Sequence, residues 1–296
     1  MGVGQTVYRE VVPGLSTFSV PFSRFGIIPV GGRSTAIKLR GANGSTSTNG
    51  AGSGTVWLLA SSPLNALTRE KIDAMGKVGW IVAPDNVHSL FLKQYSEAYP
   101  EAKVIGVLGL EKKNADVKFA GLYGRDKECT KYGFEDEIAA RFFGTFPNRD
   151  VAFFHKDSKT MITADLLFNL PAREQFSGHP KGQPYSPIPF LARFSCSFNP
   201  FSSLHSFFIK IASAGAPIPD ALAPVSGLSK QGGSTLERKK AFAADAAAVA
   251  AWDFERIVMC HGDVIEDDPK LGKMTAKQAW LSAFSSVLNP DGSPKF

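Results

Sequence analysis

The sequence predicts a layered α/β fold, and two observations indicate it. Short apolar runs, WIVAP at 80–84 and AKVIGV at 102–107, have the length and composition of buried strands. The segments at 67–77 and 88–100 that precede them place apolar residues at helical spacing. With the strand-like TVWLLASS at 55–62 before them, they give strand, helix, strand, helix and strand, an order typical of α/β domains.

The region before these segments predicts a hairpin with a long tip. STFSVPF and STAIKLR within residues 15–40 alternate β-forming residues, as strands with one buried face do. Residues 41–54, GANGSTSTNGAGSG, offer no side chain that could form a core, and we predict a flexible Gly/Ser loop because a strand follows at once. In the next helix, LTREKIDAMGK, Thr68 is the predicted cap.

The second half of the chain predicts another hairpin and three further helical segments. DVAFFH at 150–155 and KTMITADLLF at 159–168 form the hairpin, with KDSK as its turn. FERIVMCHGD at 254–263 is a strand that ends in a polar turn. The helical segments are GFEDEIAARFF at 133–143, LERKKAFAADAAAVAAW at 236–252 with Ser234 or Thr235 as cap, and TAKQAWLSAFSSVL at 275–288. Residues 171–233 are rich in Pro, Gly, Ser and Phe, and we predict an irregular insertion or lid.

Composition excludes several classes of protein. With 296 residues, 44% of them hydrophobic, the chain can bury a sizeable core and is neither disordered nor fibrous. No apolar run reaches the roughly 20 residues of a membrane span. Three cysteines are too few for a disulfide framework, and a net charge of +6 spread over this length does not predict nucleic-acid binding.

The first residues carry no secretory signal, so we expect a cytoplasmic protein. Gly2 and Thr6 fit the loose pattern for N-myristoylation, but no basic cluster that would provide a second membrane anchor lies nearby.

Polar side chains that follow short apolar strands are the candidates for chemistry. They come from three segments: Asp85 and His88 in IVAPDNVH, Asp165 in MITADLLF, and His261 and Asp263 in IVMCHGD. Loops at strand ends converge in layered α/β folds, and a mixed set of imidazole and carboxylate ligands suits Zn, Fe or Mn.

Each of these residues also has a purely structural interpretation. A lone His after a strand is most often a surface or hydrogen-bonded residue, and we treat His155, His179 and His205 in that way. A buried Asp such as Asp165 needs a partner, and capping the following turn would supply one.

Most of residues 18–170 and 236–290 resemble the DUF4336 family, a domain family of unknown function. The resemblance is carried by five segments: FSVPFSRFGIIPVGGRSTAIKL, IVAPDNVHSLFLKQYSEAYPEAKVIG, KYGFEDEI, VAFFHKDSKTMITADLLFNLP and WDFERIVMCHGDVIE. That family is distantly similar to the metallo-β-lactamase-fold hydrolases. The resemblance implies a single domain over residues 1–296 with a four-layer αββα sandwich, a metal site at one edge of the two sheets, and the Pro/Phe-rich insertion added to it.

The superfamily's metal ligands are only partly present. Its first signature is H-x-H-x-D-H after a strand, and His88 matches the last His of that pattern. Asp165 matches the bridging Asp, and His261 in CHGD matches the terminal His. The other ligand positions of the first signature hold Ala83, Asp85 and Val87, and FGTFPNRD at 143–150 lacks the next His. The resemblance therefore implies one metal or none, with Asp85 as a further oxygen ligand or a base.

Three functions remain open from the sequence. The first is a hydrolase of small-molecule esters, lactones or amides that uses one metal-bound hydroxide, with Zn as the first choice over Fe or Mn and with Asp85 or Asp263 moving protons. The second is a binding or scaffold protein without a metal. The third is an iron-dependent redox enzyme. The sequence does not fix the substrate or the oligomeric state.

Overall fold

The computed structural model describes residues 4–41, 54–188, 190, 197–214, 233–267 and 276–296. Its strands are β1 Val7–Val12, β2 Leu15–Val20, β3 Ser23–Arg24, β4 Ile28–Pro29, β5 Gly32–Leu39, β6 Thr55–Leu59, β7 Lys77–Val82, β8 Lys103–Val107, β9 Phe119–Tyr123, β10 Ile138–Phe142, β11 Val151–His155, β12 Thr160–Thr163, β13 Arg256–Met259 and β14 Ile265–Glu266. Its helices are α1 Ala66–Met75, α2 Leu92–Ala98, α3 Leu110–Lys113, α4 Arg173–Ser177, α5 Ser203–Ser213, α6 Thr235–Ala250 and α7 Ala276–Ala283.

The strands form two large sheets and one short ribbon. The first sheet has the order β1-β2-β5-β6-β7-β8-β9, antiparallel from β1 to β6 and parallel from β6 to β9. The second has the order β10-β11-β12-β13-β14, and only its β12–β13 pair is parallel. Strands β3 and β4 pair separately as a ribbon.

The two sheets face each other, and helices cover their outer faces. Between the sheets, the Trp57 ring of β6 lies 5.0 Å from the Phe153 ring of β11, centroid to centroid. Ile72 of α1 and Tyr95 of α2 are buried in the same cluster on the first sheet. On the second sheet, residues of α5, α6 and α7 form a second buried cluster, in which Trp280 is fully buried. This is the predicted four-layer αββα sandwich.

One segment predicted as a helix, 133–143, contains no helix: a turn leads into strand β10. Strand β10 pairs antiparallel with β11, and Ile138 lies opposite His155. Ile138 and Ala140 pack into the core between the sheets, whereas Ala139 packs into the core under the helices. Successive residues of β10 thus point to opposite faces, and both faces are covered. This packing outweighs the helix propensity of the Glu, Ala and Arg residues.

Other element boundaries differ in detail from the prediction. Helix α1 is capped by Asn65 rather than Thr68: the Asn65 Oδ1 accepts a hydrogen bond from the Thr68 N–H at 2.9 Å. Helix α2 begins at Leu92, not at 88, so His88 lies in the loop before it. The predicted cap of α6 by Ser234 is confirmed, with Glu237 completing a capping box.

Two predicted irregular segments are only partly described. Residues 42–53 of the predicted Gly/Ser loop lie outside the described residues, and the flanking strands β5 and β6 pair antiparallel as a hairpin requires. The described part of 171–233 is not wholly irregular, because it contains α4 and α5. Within the described part of the chain, every helix is too short or too polar to span a bilayer.

Candidate metal centre

Three predicted ligands meet at the edge where the two sheets adjoin. His88 follows β7 of the first sheet, and Asp165 and His261 follow β12 and β13 of the second. Because β12 and β13 are parallel neighbours, their following turns leave the sheet side by side. All three side chains are buried.

Their ligand atoms form a small triangle. The Nε2 atoms of His88 and His261 lie 3.0 Å apart. The Asp165 Oδ1 lies 3.4 Å from the His261 Nε2 and 3.9 Å from the His88 Nε2. Metal–ligand bonds of about 2.0–2.2 Å place neighbouring ligand atoms roughly 3–4 Å apart, so these separations fit a single ion.

The other polar atom of each ligand is held by a neighbour. The His88 Nδ1 lies 2.7 Å from the Asp85 Oδ2, and the His261 Nδ1 donates to the Gly31 carbonyl at 2.7 Å. The Asp165 Oδ2 accepts a hydrogen bond from the Asn148 Nδ2 at 2.7 Å. Such outer contacts fix the tautomer and the orientation of metal-binding imidazoles.

These contacts allow a test of whether the residues fit a metal. A carbonyl and a carboxylate only accept, so both Nδ1 atoms carry a proton, and the two Nε2 atoms face each other with either two lone pairs or one shared proton between them. The buried Asp165 Oδ1 accepts no hydrogen bond within the described structure. A proton shared by the two imidazoles would leave the Asp165 Oδ1 without a hydrogen bond, whereas a divalent metal would satisfy both imidazoles and that oxygen together.

The charges of the surrounding carboxylates favour a cation in the same way. Burial lowers the pKa of His88, but Asp85 and Asp165 outweigh it and raise that pKa to about 9. Burial raises the pKa of Asp165, but the charge of His88 and the contact with His261 hold it well below its usual range. Burial, and then the charges of Asp85 and Asp165, raise the pKa of the adjacent Asp150 well above its usual range.

Asp85, which we predicted as a ligand or base, does not point into the triangle. Its Oδ1 accepts the backbone N–H groups of Val87 and His88, both at 2.8 Å. Its Oδ2 faces the His88 Nδ1 and accepts from Asn148. Both oxygens are therefore engaged, and the geometry makes Asp85 an orienting group for His88.

Asp263, the other predicted proton carrier, lies outside the triangle. Its Oδ1 accepts from the backbone N–H of Glu174 at 2.8 Å, at the first turn of α4. Burial raises its pKa. The structure gives Asp263 the position of a helix cap.

Sequence reasoning missed the residues that hold the His261 turn. The fully buried Arg33 of β5 donates to the carbonyls of Met259 and Gly262, each at 2.7 Å. The Gln175 side chain accepts from the Gly262 N–H at 2.8 Å and donates to the Cys260 carbonyl at 2.7 Å. Strand β5 also carries Lys38, so the charge of Arg33 alone gave no signal in the sequence.

Two cavities adjoin the triangle, and Arg24 and His261 line both. The Phe22 cleft has a volume of about 180 Å³, and its apolar lining includes Val20, Phe22, Leu90 and Phe91. The Phe168 cleft has a volume of about 320 Å³, and its apolar lining includes Val30, Phe146, Phe168, Phe208 and Ile211. Both clefts therefore lie beside the triangle and share part of its lining.

A second group of possible ligands is already neutralised. Glu137, His155 and Asp157 also bring ligand atoms close together. However, the Glu137 carboxylate accepts the N–H groups of Arg40 and Gly41, and Asp157 pairs with the Arg40 guanidinium at 3.0 Å. This group therefore has the character of an ion-pair cluster.

Solved structures share this fold. The DIM-1 metallo-β-lactamase exposed to ceftazidime matches with a TM-score of 0.53 and 10% identity, over 96% of this chain and 97% of that one. The metallo-β-lactamase FIM-1 from Pseudomonas aeruginosa, in its mono-zinc form, matches with 0.51 and 6% identity, over 96% and 95%. A flavo-diiron protein variant from Thermotoga maritima matches with 0.53 and 9% identity, over 96% of this chain and 62% of that one.

At such low identity these structures show the fold alone, and that fold is the metallo-β-lactamase fold. No family model and no curated protein matches the chain.

Proposed function

We propose that the protein is a hydrolase that uses one divalent metal, zinc in the first place, to cleave an ester, lactone or amide. The observation that carries this proposal is the convergence of the His88 Nε2, the His261 Nε2 and the Asp165 Oδ1. The similarly folded FIM-1 is known in a mono-zinc form, which is a precedent for a single ion in this fold. Membership of the DUF4336 family remains a prediction.

The residues of the chain have separate tasks in this proposal. Two imidazoles and one carboxylate hold the ion, and a bound metal of this kind polarises a carbonyl and lowers the pKa of water. Asp85 keeps the His88 proton on Nδ1, and Gly31 does the same for His261. Phe168 stacks on the His261 ring at 5.3 Å and keeps water from that face.

The first experiment measures the metal content of the purified protein. We expect about one zinc per chain in the wild type and loss of that zinc in Asp165→Ala and His261→Ala. His179→Ala is the matched control, because the Nδ1 of His179 bonds to Lys181 outside both groups of possible ligands. The loaded wild type should hydrolyse an aryl ester, and the two ligand variants should not.

The other two functions are outcomes of the same experiment. A wild type that takes up no metal even after reconstitution would contradict the proposal and favour a metal-free binding protein. Bound iron with a coloured, redox-active signal and no esterase activity would favour an iron enzyme instead.

A further inference from the structure

Arg24 is a cation at the candidate metal centre that forms no ion pair with any residue in the described ranges. It lines both clefts together with His261. It lies close enough for its charge to act on Asp165, yet the two side chains form no ion pair. Within the described structure its guanidinium donates no hydrogen bond to the protein, and its one assigned contact is with the exposed Phe25 ring, 5.5 Å from the centroid.

The backbone holds Arg24 in a fixed relation to His261. Arg24 ends β3 of the short ribbon, whose base is closed where the N–H groups of Val30 and Gly31 donate to the Phe22 carbonyl. The Gly31 carbonyl in turn accepts the His261 Nδ1 proton. The ribbon that presents the guanidinium is therefore tied to the turn that presents a metal ligand.

The Phe168 cleft beside Arg24 is the larger of the two and is mainly apolar. Its volume of about 320 Å³ lies in the range of small-molecule sites. Asp165 is the one carboxylate in its described lining, and that side chain faces the two imidazoles and Asn148. The described lining of the Phe168 cleft thus contains no carboxylate other than Asp165. The cleft can accommodate a long apolar group.

We propose that the substrate is an amphiphilic carboxylate, whose carboxylate pairs with Arg24 and whose apolar chain occupies the Phe168 cleft. The planar guanidinium matches a carboxylate with two parallel hydrogen bonds, and a desolvated setting strengthens that pair. The inference rests on the proposed function, because it assigns the substrate class of the same centre.

Octanoate and octanamide test the proposal, because they have the same apolar hydrocarbon chain but only octanoate carries a negative charge. Isothermal titration calorimetry is carried out on the full chain, both after treatment with EDTA and after loading with zinc. We expect wild type to bind octanoate at least about ten-fold more tightly than octanamide in both forms, the gain of a charged hydrogen-bonded pair. Arg24→Gln should abolish this preference, whereas Arg24→Lys should keep part of it.

Two further variants test whether the apolar chain of the ligand occupies the Phe168 cleft. Ile211 lines the Phe168 cleft and is 41% exposed, so Ile211→Asn should fold and weaken both ligands several-fold. Leu90 lines the Phe22 cleft and is 69% exposed, so Leu90→Asn should leave both affinities unchanged. Arg69→Gln, on the exposed face of α1, controls for loss of one positive charge.

The results separate this inference from the proposed function. Equal binding of octanoate and octanamide, or a preference that survives Arg24→Gln, overturns the inference. A preference present only with zinc and insensitive to Arg24 also overturns it, because the carboxylate then binds the metal. A preference that depends on Arg24 in a protein that takes up no zinc refutes the hydrolase and supports the carboxylate site at Arg24, with the amphiphile as a ligand rather than a substrate.

Discussion

At the candidate metal centre, a neighbouring group holds the polar atom of each candidate ligand that lies outside the triangle. The proton on the His88 Nδ1 is held by Asp85, which leaves the Nε2 lone pair for a metal. Asn148 donates to both Asp85 and Asp165, and so couples the orienting carboxylate to the ligand carboxylate. Under the proposed function, the metal affinity of this centre therefore depends on residues outside the triangle.

Asp85→Asn tests this dependence with a side chain of the same shape. The new amide nitrogen would donate to the His88 Nδ1, move the ring proton to Nε2 and remove the lone pair that the metal needs. We expect a loss of about 10–100-fold in zinc affinity, measured by competition with a coloured chelator.

Asp263→Asn is the control for that change, because Asp263 caps α4 and lies outside the triangle. Its zinc affinity should equal that of the wild type. An unchanged affinity in Asp85→Asn would show that Asp85 does not set the tautomer.

The three candidate ligands could be selected from the sequence, whereas the residues that hold them in place could not. Each ligand follows a short apolar strand, which is a local signal. Asn148 and Gln175 lie in segments without such a signal, and their partners are 17 to 87 positions away. The sequence left the role of Asp85 open for a related reason: its spacing from His88 suits a ligand and an orienting partner equally well.

At the scale of elements, the helices and strands with a local hydrophobic pattern were predictable. The β11–β12 hairpin and α6 with its cap agree with the prediction. Strand β10 was missed because its alternation becomes meaningful only when β11 and the helices cover its two faces. Such long-range packing is not visible in one segment.

The turn after β13 places His261, and Gly262 makes that turn possible. Gly262 has a φ of 103°, and a Cβ there would lie 2.2 Å from the Asn169 carbonyl oxygen. Gly262→Ala should therefore cost more than the roughly 1–2 kcal/mol of an unfavourable backbone conformation, and it should displace His261 and weaken zinc binding. Urea unfolding and chelator competition measure the two effects.

Gly292→Ala is the control, because Gly292 also has a positive φ of 85° but its nearest atom would lie 3.4 Å away. This variant should lose the backbone contribution alone and keep its zinc affinity. Equal losses of stability in the two variants would rule out the clash with Asn169.

At the scale of the whole molecule, the candidate centre joins the two sheets. One ligand comes from the first sheet and two come from the second, and the Arg33 of β5 bonds to the turn after β13. The layered fold was predictable from the order of segments, but the pairing of two sheets came from a family resemblance. Strands β1 and β9 were not predicted, so the number of strands in the first sheet was not predicted either.

Global stability should also depend on a buried histidine away from the ligands. His205 of α5 is fully buried, its Nε2 accepts from the Phe168 N–H, and burial lowers its pKa to about 3. The unfolded chain, with a pKa near 6.5, binds more protons between about pH 3 and 6.5, so the free energy of unfolding falls as the pH drops through this range.

His205→Gln should flatten that dependence, because the Gln oxygen can still accept the Phe168 N–H but does not titrate in this range. From pH 6.5 to pH 5 the variant should gain about 2 kcal/mol relative to the wild type, as measured by urea unfolding in a chelator. Acidic groups common to both proteins cancel in this difference. His179→Gln should run parallel to the wild type, and a parallel profile for His205→Gln would mean that the charged imidazole is accommodated in the folded protein after all.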